Sequence, residues 1–322
     1  MAFLHGLQGI LGLLLVVAVG WLLAARGWFS AEMGTLLPRL VTRVALPPFL
    51  MCTMLDFFKR EDLLRNFSAS LLPLLAMILT FVLAMWLGRR LGVARQHFGL
   101  FCVCVANPNT IFIGIPVNLA LFGQQSLPFV LLYYFASTCF FWTVGHHYVR
   151  ADSHVCPTQG LAAQIREVIG QILSPPMLGF LAGLGLVLAD VRPPDFLMLA
   201  ADFLGDLTTP LALIFIGMTV QGVDLRQLRR QGGHSLRDMA LALVGRLVLA
   251  PLIMALLVLI FPVPELMGKV FIMQASLPVI VQVAILSAYY RSDPQFGALM
   301  VSLSTLCSAL TIPVYMLLLQ GW

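Results

Sequence analysis

The chain has 322 residues, of which 60% are hydrophobic and only 10% charged, against about 45–50% and about 25% in an ordinary soluble domain. Its net charge of +5 comes without any Lys/Arg-rich run, and Lys59 and Lys269 are the only lysines. These values exclude a soluble enzyme, a nucleic-acid reader and a disordered chain, and predict a multi-spanning membrane protein with the lipid bilayer as a partner and no nucleic acid.

A helical span needs about 20 mostly apolar residues to cross about 30 Å of hydrocarbon. Ten segments meet this, and their apolar runs are continuous rather than alternating, so helices are expected and not a barrel. The first, Leu7 to Ala25, has no Lys or Arg before it and a poor cleavage site after it, so it reads as a span and not a signal peptide. The second, Gly34 to Phe57, holds Arg39, Arg43 and Pro47. The third runs from Ser68 to Gly88, the fourth from Phe98 to Phe122 and the fifth from Ser126 to Tyr148. His146 and His147 close the fifth as an interfacial polar pair, since a zinc site needs more ligands. The sixth is Val168 to Ala189, and the seventh, Phe196 to Val220, holds Asp202, Asp206 and Pro210. The eighth, Leu236 to Phe261, holds Arg246. The ninth, Leu266 to Tyr290, and the tenth, Phe296 to Leu319, complete the set. Of the six cysteines, Cys156 alone lies in a loop, and the close pair Cys102 and Cys104 reads as small apolar residues of a buried helix. No metal and no cofactor is expected.

Loop arginines set the orientation. The odd-numbered loops hold eleven cations: Arg26, Arg89, Arg90, Arg95, Arg150, Arg166, Arg226, Arg229, Arg230, Arg237 and Arg291. The even-numbered loops hold four: Lys59, Arg60, Arg65 and Arg192. The odd loops are therefore expected in the cytoplasm and both termini outside it, in the inner (plasma) membrane.

The chain also reads as a repeat. Shifting by 163 positions carries Arg39, Arg43 and Pro47 onto Asp202, Asp206 and Pro210, and Pro116 and Pro278 are 162 apart. Five spans per half is an odd number, so the second half is inverted, as in many secondary transporters. The expected organisation is a first five-helix repeat over 1–150, a cytoplasmic linker over 151–165 and a second, inverted five-helix repeat over 166–322.

Spans four and nine each carry a proline at depth, Pro116 and Pro278, and proline removes an N–H and clashes with the preceding turn. Both helices are expected to break there, with the prolines side by side near mid-membrane. Freed backbone groups are tolerated in hydrocarbon only where protein or a cavity meets them. Asn107, Asn109, Thr110, Gly114, Gln274, Ser276 and Gln282 surround the two prolines and form the expected substrate site. Half-helix N-termini suit an anion there.

Asn109-Thr110-Ile-Phe-Ile-Gly114-Ile115-Pro116 resembles the N-T-x-x-x-G-I-P of plant auxin efflux carriers, and Gln274-Ala-Ser276-Leu-Pro278 resembles the family's second crossover motif, Q-A-x-L-P. Leu121-Phe122-Gly123, Arg246 with Pro251, and Ala45-Leu46-Pro47 are similar to further family positions. The resemblance covers nearly the whole chain. It implies an all-α membrane fold of ten helices in two inverted five-helix repeats, with helices four and nine crossing at a central site. It also implies export of organic anions, an auxin in plants and small carboxylates such as malonate in some bacterial relatives, and a homodimer. The third span lacks the carboxylate of the plant carriers, the fifth lacks an Asn, and the loop after it spans only Val149 to Glu167. A short bacterial-type member fits better than an auxin carrier.

Ionisable residues at membrane depth default to function. Asp206 could pair with Arg43 or Arg246 and pin the bundles together, or an arginine could bind a substrate carboxylate bidentately while Asp206 carries a coupling proton. The driving force stays open between proton coupling, uniport and sodium coupling. Sodium-coupled bile-acid-type symporters resemble this architecture, but no paired acidic sodium ligands stand near either break. A transporter-like sensor is the remaining alternative, and its short loops leave no output domain. No HExxH, Ser–His pair or paired carboxylates point to an enzyme.

Overall fold

The computed structural model describes residues 2–29, 33–57, 71–152, 166, 169–170, 173–222 and 233–320. The linker expected over 151–165 lies outside the described residues, apart from 151 and 152, as do Cys156 and the loop cations Lys59, Arg60, Arg65, Arg226, Arg229 and Arg230. The described residues form helices joined by turns and unwound stretches, and their one β-type contact is an isolated bridge.

The helices are α1 (Ala2–Ala25), α2 (Met33–Phe57), α3 (Leu71–Leu91), α4 (Phe98–Ala106), α5 (Gly114–Phe122) and α6 (Gln124–Ala151). They continue as α7 (Pro175–Ala189), α8 (Asp195–Gln221), α9 (Ser235–Ile260), α10 (Glu265–Ala275), α11 (Gln282–Tyr290) and α12 (Pro294–Gln320). Six helices among the described residues, α2, α3, α6, α8, α9 and α12, are long and apolar enough to cross a membrane, and the apolar parts of α1 and α7 are shorter. The protein is therefore an all-helical, multi-pass membrane protein.

Local chemistry sets the helix ends. Ser174 is extended before Pro175 and Pro176 open α7, where a missing N–H costs nothing. Asp190 and Arg291 adopt left-handed backbone just past α7 and α11 and stop them. Proline inside a long helix has another effect. In α9, Pro251 supplies no N–H for the Leu247 carbonyl, the helix widens into a π-turn over Gly245–Leu249, and the Tyr315 hydroxyl donates to that carbonyl at 2.6 Å. In α2, a π-turn over Val41–Ala45 precedes Pro47 and Pro48.

The chain divides into two compact units, and neither follows the halves of the sequence. Unit 1 comprises Met1–Ser70, Ile111–Phe135 and Gly170–Gly222, and unit 2 comprises Leu71–Thr110, Ala136–Ile169 and Val223–Trp322. In unit 1, α1 lies along α8 where Gly20 meets the Ile214 backbone and Gly217 meets the Val17 carbonyl, and a Cβ at either glycine would overlap that backbone. In unit 2, α3, α4, the latter part of α6 and α9 to α12 pack around a polar centre. Arg246, fully buried, is the largest side chain there with no exposure.

Candidate functional site

The centre of unit 2 is where two helices stop. Between α4 and α5 the chain unwinds over 107–113, and between α10 and α11 over 276–281. The two unwound stretches meet as an antiparallel bridge, Pro108 opposite Val279. The Asn109 N–H donates to the Pro278 carbonyl at 2.8 Å, and the Ile280 N–H to the Asn107 carbonyl at 3.2 Å. Each helix thus satisfies its broken backbone with the other, the condition for irregular backbone at membrane depth.

That exchange leaves two carbonyls stranded. Had α4 continued, the Val105 carbonyl would accept from Asn109, whose N–H now goes to Pro278. Had α10 continued, the Ala275 carbonyl would accept from Val279, whose N–H now goes to the Ser304 hydroxyl at 3.0 Å. Arg246 takes both: Nη1 donates to Val105 at 2.8 Å and Nη2 to Ala275. Each helix C-terminus carries roughly half a negative charge, so one guanidinium balances the pair.

Amides line the same place. Asn107 is fully buried, its Nδ2 donates to the Ser137 carbonyl at 3.5 Å, and its Oδ1 has no partner. Gln274 is fully buried and neither end of its amide is bonded, and the buried Ser137 hydroxyl also lacks a partner. Such groups cost roughly 1–3 kcal/mol each when left unsatisfied. Asn109 and Thr110 are buried beside them. Ser276 turns its hydroxyl back to the Met273 carbonyl at 2.8 Å, and Gln282 opens α11 with an unpaired Oε1.

The pattern of the family described as "Membrane transport protein" matches residues 5–316. The chain belongs to this family. It is also 26% identical to an "Uncharacterized transporter" of Methanothermobacter thermautotrophicus, over 99% of this chain and all of that one. It is 22% identical to an "Uncharacterized transporter" of Methanocaldococcus jannaschii over 97% of each. The resemblance to auxin efflux carriers read from the crossover motifs leads to this same membrane transport family.

In this transporter the break of the first helix falls at Pro108, not at Pro116. Pro116 is the third residue of α5, in the first turn, where helix N–H groups have no intrahelical partner, so proline fits without a break. Gly114 starts α5, and its carbonyl accepts from Asn118 Nδ2 at 2.8 Å. The residues opposite Pro278 and Val279 are Asn109 and Pro108, all of unit 2, whereas Pro116 belongs to unit 1.

The structural alternative for the charges at depth, an Asp206–arginine pair, is not seen among the described residues. Arg246 spends its donors on helix carbonyls. Arg43 and Asp206 are both exposed, and no ion pair joins them among the described residues. Asp206 instead lines a cavity of about 330 Å³ in unit 1 together with Asp56 and Asp202, with no cationic side chain in its lining. Of its carboxylates, Asp56 lies 3.8 Å from Arg192 Nη2. No group of three or more His, Cys, Asp or Glu among the described residues could hold a metal ion. The histidine pair also separates: His147 is exposed, while His146 is buried with Nε2 2.7 Å from the Tyr290 hydroxyl.

Sequence reasoning missed Pro108, Ser137 and Ser304. Asn107-Pro108 is a dipeptide that marks turns, so the true break was signalled. Ser137 and Ser304 sit in apolar helices with no local signal at all.

Proposed function

We propose that the chain exports small organic anions, carboxylates, as a secondary active transporter or uniporter. Substrate binds at the crossover, against Asn107, Asn109, Thr110, Gln274 and Gln282, and access alternates by an elevator or rocking movement. The carrying observation is the buried, unpartnered amide atoms beside two broken helices: Asn107 Oδ1, both ends of Gln274 and Gln282 Oε1. Together they offer a donor and several acceptors to a bound molecule.

Electrostatics support the anion. Arg246 balances the negative ends of α4 and α10, which leaves the N-terminal end of α11 as uncompensated partial charge, and that end is positive. The proposed frame is ten spans in two inverted five-helix repeats with both termini outside the cytoplasm. The make-up of the units supports part of it: expected spans one, two, six and seven, two repeat-equivalent pairs, fall in unit 1, and the equivalent spans three and eight fall in unit 2. Spans nine and ten also lie in unit 2, whereas their counterparts four and five are divided between the units. A homodimer and a coupling proton or sodium ion belong to the same reading.

Flux in proteoliposomes tests it. Saturable uptake of labelled small dicarboxylates such as malonate is expected, with loss in Asn109→Ala and Gln274→Ala. Tight binding without flux in sealed vesicles overturns transport in favour of a sensor. Flux of organic cations alone overturns the anion.

A further inference from the structure

At the opposite end of α4 from the crossover, a histidine is held between two carboxylates. His97 is 1% exposed. Its Nε2 lies 3.1 Å from Asp238 Oδ2, and its Nδ1 3.0 Å from Asp293 Oδ2. Its ring stacks on Phe296 with centroids 4.3 Å apart and planes 11° from parallel. A neutral imidazole has one N–H and one lone pair. With a carboxylate oxygen at each nitrogen, only the doubly protonated ring donates both ways. A neutral ring turns a lone pair against a carboxylate at about 3 Å.

The groups around it define the charge balance. Arg237 donates to Asp238 Oδ1 at 3.0 Å and to the Gly92 carbonyl at 2.9 Å. The Ala94 N–H donates to Asp238 at 3.0 Å, and the Phe296 N–H to Asp293 at 3.1 Å. Asp152, at the end of α6, accepts from the Gly99 and Leu100 N–H groups that open α4. Arg95, on the same short turn as His97, is exposed. With imidazolium, the His97, Asp238, Asp293 and Arg237 charges cancel, and Asp152 adds one nearby carboxylate. Loss of the ring proton leaves buried Asp238 and part-buried Asp293 facing a neutral His97, with further net negative charge around it.

The three residues root three helices. His97 immediately precedes α4, Asp238 lies in the first turn of α9, and Asp293 immediately precedes α12. Farther along, these same helices build the crossover: α4 ends at the Asn107–Pro108–Asn109 bridge, α9 carries Arg246, and α12 supplies Ser304 to the Val279 N–H. At 1.5 Å per residue the length of α4 separates root from crossover by about 13 Å. We propose that His97, Asp238 and Asp293 form a proton-binding site that clamps the roots of α4, α9 and α12 when occupied, and loosens the crossover when it empties.

Burial disfavours the charged ring, but the hydrogen bonds to Asp293 and Asp238 outweigh it, and the pKa of His97 is raised above the ordinary 6.5. Burial likewise opposes ionisation of Asp293, yet the His97 bond and the Phe296 N–H hold it below the ordinary carboxylate value. A raised histidine stabilises the folded state fully below about 6.5, and that contribution is lost as pH rises through the folded value. Acid therefore closes the clamp and alkali opens it, on the face that the loop arginines assign to the cytoplasm.

Neither test needs a substrate, so failure here is distinct from failure of the transport reading. Thermal unfolding of the purified full chain from pH 6 to 9 should fall with a midpoint above 6.5. His97→Gln should lie near the wild-type value of pH 9 throughout, and Asp293→Asn should move the midpoint to lower pH. Hydrogen exchange of peptides covering 98–110 and 276–282, compared between wild type and variant at equal pH, reads the coupling. Wild type should be the better protected at pH 6 and equal to His97→Gln at pH 9. Parallel pH dependence of wild-type and His97→Gln unfolding overturns the proton site. Should His97→Gln not fold, an unmoved midpoint in Asp293→Asn overturns it equally. Crossover peptides whose protection ignores the titration overturn the coupling.

Discussion

Arg43 and Arg246 each lie in a five-residue π-turn, Val41–Ala45 and Gly245–Leu249, and each is followed by proline, at 47 and 251. Their surroundings differ completely. Arg43 is exposed, whereas Arg246 is fully buried between two helix ends. The local sequence prepares a widened turn and an arginine in both places. Only the crossover strands two carbonyls within reach of the second. A buried guanidinium is tolerable because its donors meet acceptors that the broken helices cannot use themselves.

The contrast can be broken at its stronger side first. Arg246→Leu removes the charge that joins α4 to α10 and leaves the Val105 and Ala275 carbonyls unsatisfied, which should cost about 2–6 kcal/mol at roughly 1–3 for each buried group. Folded yield and thermal stability in detergent measure it. Arg246→Lys should recover part of the loss, since an ammonium reaches one carbonyl better than two. Next in size is Gln274→Leu, which removes an amide that the protein itself leaves unbonded. Stability should hold or rise by about 1 kcal/mol, while flux falls about tenfold, the factor carried by 1.4 kcal/mol. A variant with lost stability and intact flux would return Gln274 to a structural role. The smallest effect belongs to the exposed partner: Arg43→Ala should stay within about 0.5 kcal/mol of wild type. Asp206→Asn should be equally mild in stability, and a changed pH profile of transport would mark it as a proton carrier. An unchanged profile would leave the acidic cavity without that role.

The arginines also show where sequence reasoning reaches and where it stops. Apolar run length was enough for a multi-pass helical protein, because the bilayer fixes helix length and forbids open backbone. The second break was legible at Pro278 because no turn boundary could accommodate a proline amid that apolar run. The first was misplaced because Pro116 and Pro108 look alike as letters. One opens a helix and the other interrupts one, and the difference depends on where the chain is already unwound. The Asp206 pairing failed for another reason. Depth along a span says nothing of which side of the helix a charge faces, and Arg246 gives its donors to the Val105 and Ala275 carbonyls. The π-turns, Ser137 and Ser304 depend on packing alone.

The bridge between the broken helices also has a consequence for biosynthesis. Asn109 and Pro278 are about 170 residues apart in the chain. At roughly 5–20 residues per second, translation reaches the second partner about 10 to 30 s after the first. Through that interval α4 is in the membrane with the Asn109 amide and the Val105 and Asn107 carbonyls lacking the partners they have in the finished fold. The nascent first half must be sheltered, by the insertion machinery or by water held at the break, until α9 and α10 arrive. Chains truncated before Arg246 and released into the membrane should therefore be more sensitive to protease than the full chain.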